Sequence, residues 1–248
     1  MQQSYVKHFE KTLGYFKDFS AHPVFLPGAN PNFQFSEPLN SYRDLLNSLR
    51  SSNKGFRARI DEHQISCAET VEAISKLDLI HKEGFFTILS ILCHCYRWNT
   101  LPASEDVYAL ESLDFPQYLW QPFCLLADSL NAPYCGSLYS TTTSNFLIKG
   151  LSGSASYDFS RIEFDDLEVP YNWLPDCYSA QLAHWVKVFV FTEMHGGHVN
   201  KACISIVEAL SQPNLDARLL EERLNILLQS IRSLTRVFGT YVRTSKLD

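Results

Sequence analysis

Residues 179–210, SAQLAHWVKVFVFTEMHGGHVNKACISIVEAL, decide the fold. Apolar and polar residues are too densely interleaved there for an element with one face in water. Trp185, Val188, Phe189, Thr192 and Val199 recur at three- and four-residue steps, the period of an α-helix, which predicts a central, largely buried helical segment. Glu193, His195 and His198 carry ionisable groups into the same run. Either something polar is held there, or this is a core helix whose few polar groups hydrogen-bond locally. Gly196-Gly197 predicts a break, with a second helix following it.

Working outward, the helical period returns on both sides. Downstream, Leu220, Leu224, Leu227, Ile231, Leu234 and Phe238 step by four and three, and Glu221, Glu222, Asn225, Gln229, Arg232 and Arg236 fill the other face. The acids come early and the arginines late, as the helix dipole prefers, so a helix with a buried 220–238 stripe is expected. Upstream, 66–79 and 82–98 carry apolar residues at helical spacing, 41–49 reads as a short helix, and 115–130 as a helix kinked at Pro122. Residues 4–19 place Phe9, Leu13 and Phe16 on one face, which predicts an amphipathic helix against the body. The proline-rich 22–38 reads as an extended connector, and 99–113 as a loop.

Residues 134–150 are rich in β-branched and hydroxyl side chains and leave two readings open. They suit a strand, and the hydroxyl run Ser140 to Thr143 equally suits a helix face that meets a polar ligand or a water. The run 151–176, with turn formers, acids and two prolines, reads as a long surface excursion holding a short hairpin. The expected architecture is all-α in one domain over 1–248. In it, 1–65 supply N-terminal helices and the connector, 66–150 and 177–248 the main helical body, and 151–176 a surface loop.

Composition narrows the function. The 248 residues carry a net charge of -6, and the 21 basic residues are scattered singly, which argues against a nucleic-acid footprint. Phe 17, Tyr 12 and Trp 4 make a surplus of large rings, enough for a core and suited to a bulky planar ligand. The seven cysteines include no CxxC pair and sit mostly in apolar runs, so reduced thiols and a cytoplasmic location are expected. No stretch has the roughly eighteen apolar residues of a membrane span, and the N-terminus does not read as a signal peptide. GxSxG, P-loop and GxGxxG patterns do not occur.

Two groups of soft ligand types raise a metal. In Cys93-His94-Cys95 adjacent helical residues point about 100° apart and cannot by themselves close a tetrahedral site. Glu193, His195 and His198, with His184 as a further ligand, are the better candidates, because His195 and His198 share a helix face at i and i+3. The glycines between those two histidines work against that geometry.

Three stretches also resemble one family. GFFTILSILCHCYRW at 84–98, FPQYLWQPFCLLADSLNAPYCGSLYSTTTSNF at 115–146 and HWVKVFVFTE at 184–193 follow, in order and spacing, the indoleamine 2,3-dioxygenase superfamily. Tyr96 and Trp98 stand where that family has an aromatic pair closing a helix, Asn131-Ala132-Pro133 at its proline turn, Leu138 or Tyr139 and Asn145-Phe146 at its Tyr before Asn-Trp, and Trp185 to Glu193 at its aromatic helix. FLPG at 25–28 suits the family's N-terminus.

The resemblance implies a multi-helix bundle with a small N-terminal part, haem b in the larger part, and insertion of dioxygen across the C2–C3 bond of an indole such as L-tryptophan. Trp185 and Phe189 would line the distal side, with Tyr139 and Thr142 above the haem. It covers about residues 24–248, the N-terminal two-thirds of the family's length. The family's Arg-bearing segment and haem-ligating His lie beyond that span, and no His follows His198. The bundle is therefore expected to lack the C-terminal helices, to leave the catalytic residues unassigned, and to offer His184, His195 and His198 as substitute metal ligands. A C-terminal complementing chain or a homo-oligomer is the expected partner. A non-catalytic helical binding or partner subunit is the alternative.

Overall fold

A computed structural model of the chain describes residues 26–27, 29–51, 55–98, 114–132, 134, 139–151, 158, 161–212, 214 and 216–244, with the side chains of 139, 140 and 244 excepted. The expected helix at 4–19 and loop at 99–113 lie outside the described residues, as does most of the 151–160 run. The described chain is predominantly helical. In order it forms α1 (Leu39–Leu49), α2 (Phe56–Asp61), α3 (Cys67–Ser75), α4 (Leu79–Arg97), α5 (Gln117–Ser129), a π turn (Tyr139–Thr143), β1 (Leu147–Ile148), β2 (Leu167–Glu168), α6 (Asp176–Leu210) and α7 (Ala217–Thr244).

α4 is the axis of the first core cluster. The Asp78 carboxylate caps it by accepting the His81 backbone N–H at 3.0 Å. Every residue from Gly84 to Cys93 is buried, because the helix is apolar on all sides and α1, α2, α5 and the π turn pack around it. The proline-rich connector crosses it at Gly84, where Asn32 N–H donates to the Ile80 carbonyl at 2.9 Å. A Cβ at Gly84 would fall on the Asn32 carbonyl, so this crossing requires glycine. α1 contributes Leu39, Tyr42, Leu45, Leu46 and Leu49 to the same cluster, and α5 contributes Leu119, Phe123, Leu126 and Ala127. α1 and α2, grouped with the N-terminal part on sequence alone, thus share a core with α4 and α5. α2 itself has no counterpart in the sequence reading.

Pro122 lies inside α5 and removes the N–H that would have bonded the Tyr118 carbonyl one turn earlier. The Tyr42 hydroxyl takes its place, donating to that carbonyl at 2.6 Å. The cost of a proline in a helix interior is offset here by a tyrosine from another helix.

The second cluster lies under the α6–α7 hairpin and joins Leu26, Phe146, Ile148, Leu167, Val186, Val190, Phe191 and Met194. β1 and β2 pair antiparallel, Leu147 with Glu168 and Ile148 with Leu167. Two buried asparagines fasten this region. Asn30 donates to the carbonyls of Ile148 (3.0 Å) and Leu151 (2.9 Å) and accepts from Ile148 N–H (2.8 Å). Asn145 donates to the Tyr171 carbonyl (2.8 Å) and accepts from its N–H (3.1 Å). Each amide side chain satisfies backbone groups that, among the described residues, no strand pairs.

Three expectations are corrected. α6 runs unbroken for 35 residues through Gly196-Gly197. Gly197 is buried, and α7 packs along α6, so tertiary contact offsets the roughly 1 kcal/mol that each glycine costs a helix. The excursion 151–176 is not wholly surface, for Leu167 and Tyr171 are buried in the two core clusters. The 220–238 stripe is not buried: Leu224, Ile231 and Phe238 are 49%, 44% and 40% exposed, because α7 packs chiefly on α6.

Candidate functional site

The C-terminal end of α4 and the outer face of α5 enclose a cavity of about 300 Å³ lined by Cys93, His94, Arg97, Trp98, Phe115, Trp120, Phe123 and Tyr134. Its floor is a run of stacked rings. Phe115 and Trp120 lie 5.2 Å apart at 24°, Trp120 and Phe123 5.5 Å apart at 26°, and Phe123 and Phe86 5.2 Å apart at 18°. Phe86 and Phe123 belong to the core, so the stack anchors the exposed end of the site to the buried cluster. Trp98, Trp120 and Tyr134 remain exposed, with flat ring area open to solvent beside the cavity.

The polar groups sit at one end. Arg97 holds its guanidinium carbon 5.4 Å from the Trp98 ring centre, a cation–π contact at the rim. His94 Nε2 is buried and has no hydrogen-bond partner within the protein. A buried imidazole nitrogen without a partner is costly, and among the described residues it is the one such ring nitrogen. The Tyr134 hydroxyl hydrogen-bonds Asp128, which raises its pKa and fixes the ring at the mouth.

The thiols at and behind the cavity are poor nucleophiles. Burial, with Cys124 and Cys95 nearby, pushes the Cys93 thiol well up, burial pushes Cys95 up to about 12, and Cys124 is raised by burial and by Asp128. At neutral pH all three are protonated, so the cavity can bind a ring and offer an imidazole but does not attack through sulfur.

Two other cavities compare unfavourably. The larger, about 880 Å³, is a broad groove between the connector and α3 walled by Glu37, Glu69, Glu72, Lys76 and His81, and its Lys76 is paired with Glu72 at 2.7 Å. One of about 440 Å³ lies over Asn30, whose amide is already engaged by backbone. Neither combines apolar walls with an unpartnered polar atom.

The residues proposed from sequence lie elsewhere. Thr142 is buried in the π turn, while the Tyr139 side chain is outside the described set. Trp185 and Phe189 are half-buried on α6 with ring centres 6.2 Å apart. His184 shares its Nε2 hydrogen with the Tyr241 carbonyl at 2.9 Å and packs against Phe164 at 5.5 Å. That nitrogen serves the α6–α7 contact, which is a structural role. His195 packs edge-on to Phe191 at 4.6 Å, and its ring centre is 6.3 Å from that of His198. Burial, and then His198, push the His195 pKa down.

His184 and His195 are eleven residues apart, about 16 Å along a helix, too far to share one ion. Glu193 is two residues from His195 and so points to the far side of the helix. Among the described residues no three His, Cys, Asp or Glu side chains converge on a metal position. The signal for the α4–α5 cavity was nonetheless in the sequence. Trp120 falls off the Leu119–Phe123–Leu126 stripe of its helix, and Trp98 lies one residue past the end of α4. Large rings outside the core-facing register mark an aromatic surface.

No family model matches the chain, and no curated protein matches it either. Among the described residues no helix is long and apolar enough to cross a membrane.

Proposed function

We propose that the chain is a helical binding protein for a small planar aromatic molecule carrying one hydrogen-bonding group, held in the cavity between α4 and α5. The observation that carries this reading is the stacked aromatic floor, with Trp98 and Trp120 exposed beside it and the His94 ring in the same wall. The rings supply a flat apolar surface, and the polar rim at His94 and Arg97 gives the site a direction. About 300 Å³ admits one or two fused rings. No step of bond making is assigned, since the Cys93 thiol is held protonated and no carboxylate is among the described lining residues.

A haem-dependent dioxygenase, as the family resemblance implies, is the second reading. It shares the ligand class, because an indole is a planar aromatic with one N–H donor. Haem would bring the dioxygen chemistry, and this chain would have to supply an axial imidazole and a pocket large enough for the macrocycle. The α4–α5 cavity is too small for that plane. His184 is committed to Tyr241, and His195 and His198 are the other imidazoles on α6.

The test is ligand-observed NMR of indole with the full chain and its Trp120→Ala and His94→Leu variants, together with a haem titration. Trp120 is partly exposed, so its truncation leaves the core intact. Binding that weakens at least tenfold in both variants, at unchanged melting temperature, supports the cavity. Indole binding equal in all three proteins overturns it. A Soret band that disappears with His195→Ala and His198→Ala would favour the dioxygenase.

A further inference from the structure

α7 carries two apolar seams, and the fold covers one of them. Leu220, Leu227, Leu234, Val237 and Tyr241 are half-buried, and Val237 and Tyr241 pack onto the second core cluster beneath α6. With Arg223 and Ser230 these positions step by three and four, the spacing of a two-helix seam. About 100° round the same helix lies a second series, Leu224, Leu228, Ile231, Thr235 and Phe238, at steps of four, three, four and three. Its four large members are 49%, 45%, 44% and 40% exposed. Single exposed leucines are ordinary, whereas four aligned on one seam are not.

The seam is close to symmetric about Ile231. Leu224 lies seven residues before it and Phe238 seven after, while Leu228 and Thr235 stand three before and four after. When a second copy is laid antiparallel across it, with a two-fold axis at Ile231, Leu224 meets Phe238 of the other copy at both ends. Ile231 then meets its own counterpart in the middle. Such a self-complementary patch is what an isologous dimer needs. Charge also favours this direction. The N-terminal acids Glu221 and Glu222 come level with the turn that carries Arg243 of the second copy, while a parallel pairing would set acid against acid and Arg236 against Arg236. The like-charge approaches in the antiparallel pair are between the two Arg232 side chains and, at each end, between Arg218 and Arg243 of the second copy, where Glu221 and Glu222 stand beside them.

We propose that α7 pairs with α7 of a second copy of this chain, antiparallel and centred on Ile231, so that two α6–α7 hairpins form a four-helix bundle. From Leu224 to Phe238 the seam runs about 21 Å along the helix. Two helix faces of that length bury on the order of 1,000 Å² in total, at the lower bound for a specific interface, so dissociation in the micromolar range is expected. This inference is independent of the α4–α5 cavity, which lies on other helices.

The experiment is analytical ultracentrifugation of the full chain from about 1 to 200 μM, with disulfide trapping in a Cys135→Ser, Cys177→Ser background, which removes the one thiol that is exposed among the described residues and the one that lies outside them. The wild type is expected to move from monomer to dimer across that range. Ile231→Lys should stay monomeric throughout, with the melting temperature of the diluted wild type. Ile231→Cys should form a disulfide-linked dimer on mild oxidation, and Leu220→Cys, on the covered seam, should not. A wild type that is monomeric at 200 μM overturns the proposal, and so does a dimer that Ile231→Lys leaves intact. Leu224→Cys linking to itself as readily as Ile231→Cys would mean a parallel pairing and would overturn the antiparallel one.

Discussion

α4 and α7 are both long helices with apolar residues along their whole length, yet α4 is buried on all sides from Gly84 to Cys93 and no described residue of α7 is fully buried. The difference lies in their neighbours. α4 is wrapped by α1, α2, α5 and the π turn, and α7 rests chiefly on α6. An apolar stripe therefore reports the surface a helix can cover, and the number of partners reports how much it does cover. It also assigns roles: the helix with complete cover anchors the candidate ligand cavity at its C-terminal end, and the helix with half cover presents an interface.

The sharpest way to break this comparison uses one residue type at both places. Leu89→Ala on α4, where the side chain is wholly buried, should cost about 2 to 5 kcal/mol in denaturant unfolding. Leu227→Ala on the covered seam of α7 should cost about 1 to 2 kcal/mol, because part of its surface is already in water. Equal losses would mean that α7 has cover beyond α6. Next in size is Asn145→Ala, which strips the Tyr171 N–H and carbonyl of their partners in a buried position. It should cost about 1 to 3 kcal/mol, and Asn145→Asp should rescue only the N–H half.

The smallest effect concerns pH. Burial raises the Glu83 carboxyl on α4 from its ordinary 4.5 to about 7. Between those values the unfolded chain is ionised at this residue while the folded chain is still protonated, so stability falls as pH rises through about 4.5 to 7. Glu83→Gln should remove that slope. It should stabilise by on the order of 1 kcal/mol at pH 8, allowing for the partial exposure of the group, and by little at pH 4. A variant with the wild-type pH profile of melting temperature would show that the α4 wrap does not desolvate Glu83.

Sequence periodicity was enough to find the long helices, since three- and four-residue apolar steps carry over directly into a packed face. The reading of 220–238 as one buried stripe failed for a definable reason. Leu220, Leu227 and Leu234 belong to one seam and Leu224, Ile231 and Phe238 to the next, and a period cannot say which seam has a neighbour. The Gly196-Gly197 break is absent for a similar reason, because local propensity does not register the 28-residue helix that supports α6 from outside. The cavity was the least legible part. Trp98, Trp120 and Tyr134 come from the end of one helix, the off-stripe face of another and the segment after it, and only the α4–α5 packing brings them together. Asn30 and Asn145 gave no sequence signal either, for their role lies in backbone groups more than twenty residues away.

The most direct measurement follows the side-chain Nε1–H resonances of the four tryptophans by ¹⁵N NMR while indole is added. Trp98 and Trp120 line the α4–α5 cavity, Trp185 lies half-buried on α6, and Trp173 packs against the first core cluster. The account predicts saturable shifts for Trp98 and Trp120 with a common dissociation constant, and no shift for Trp185. Shifts confined to Trp185, with Trp98 and Trp120 unmoved, would contradict it and return the ligand site to the aromatic face of α6.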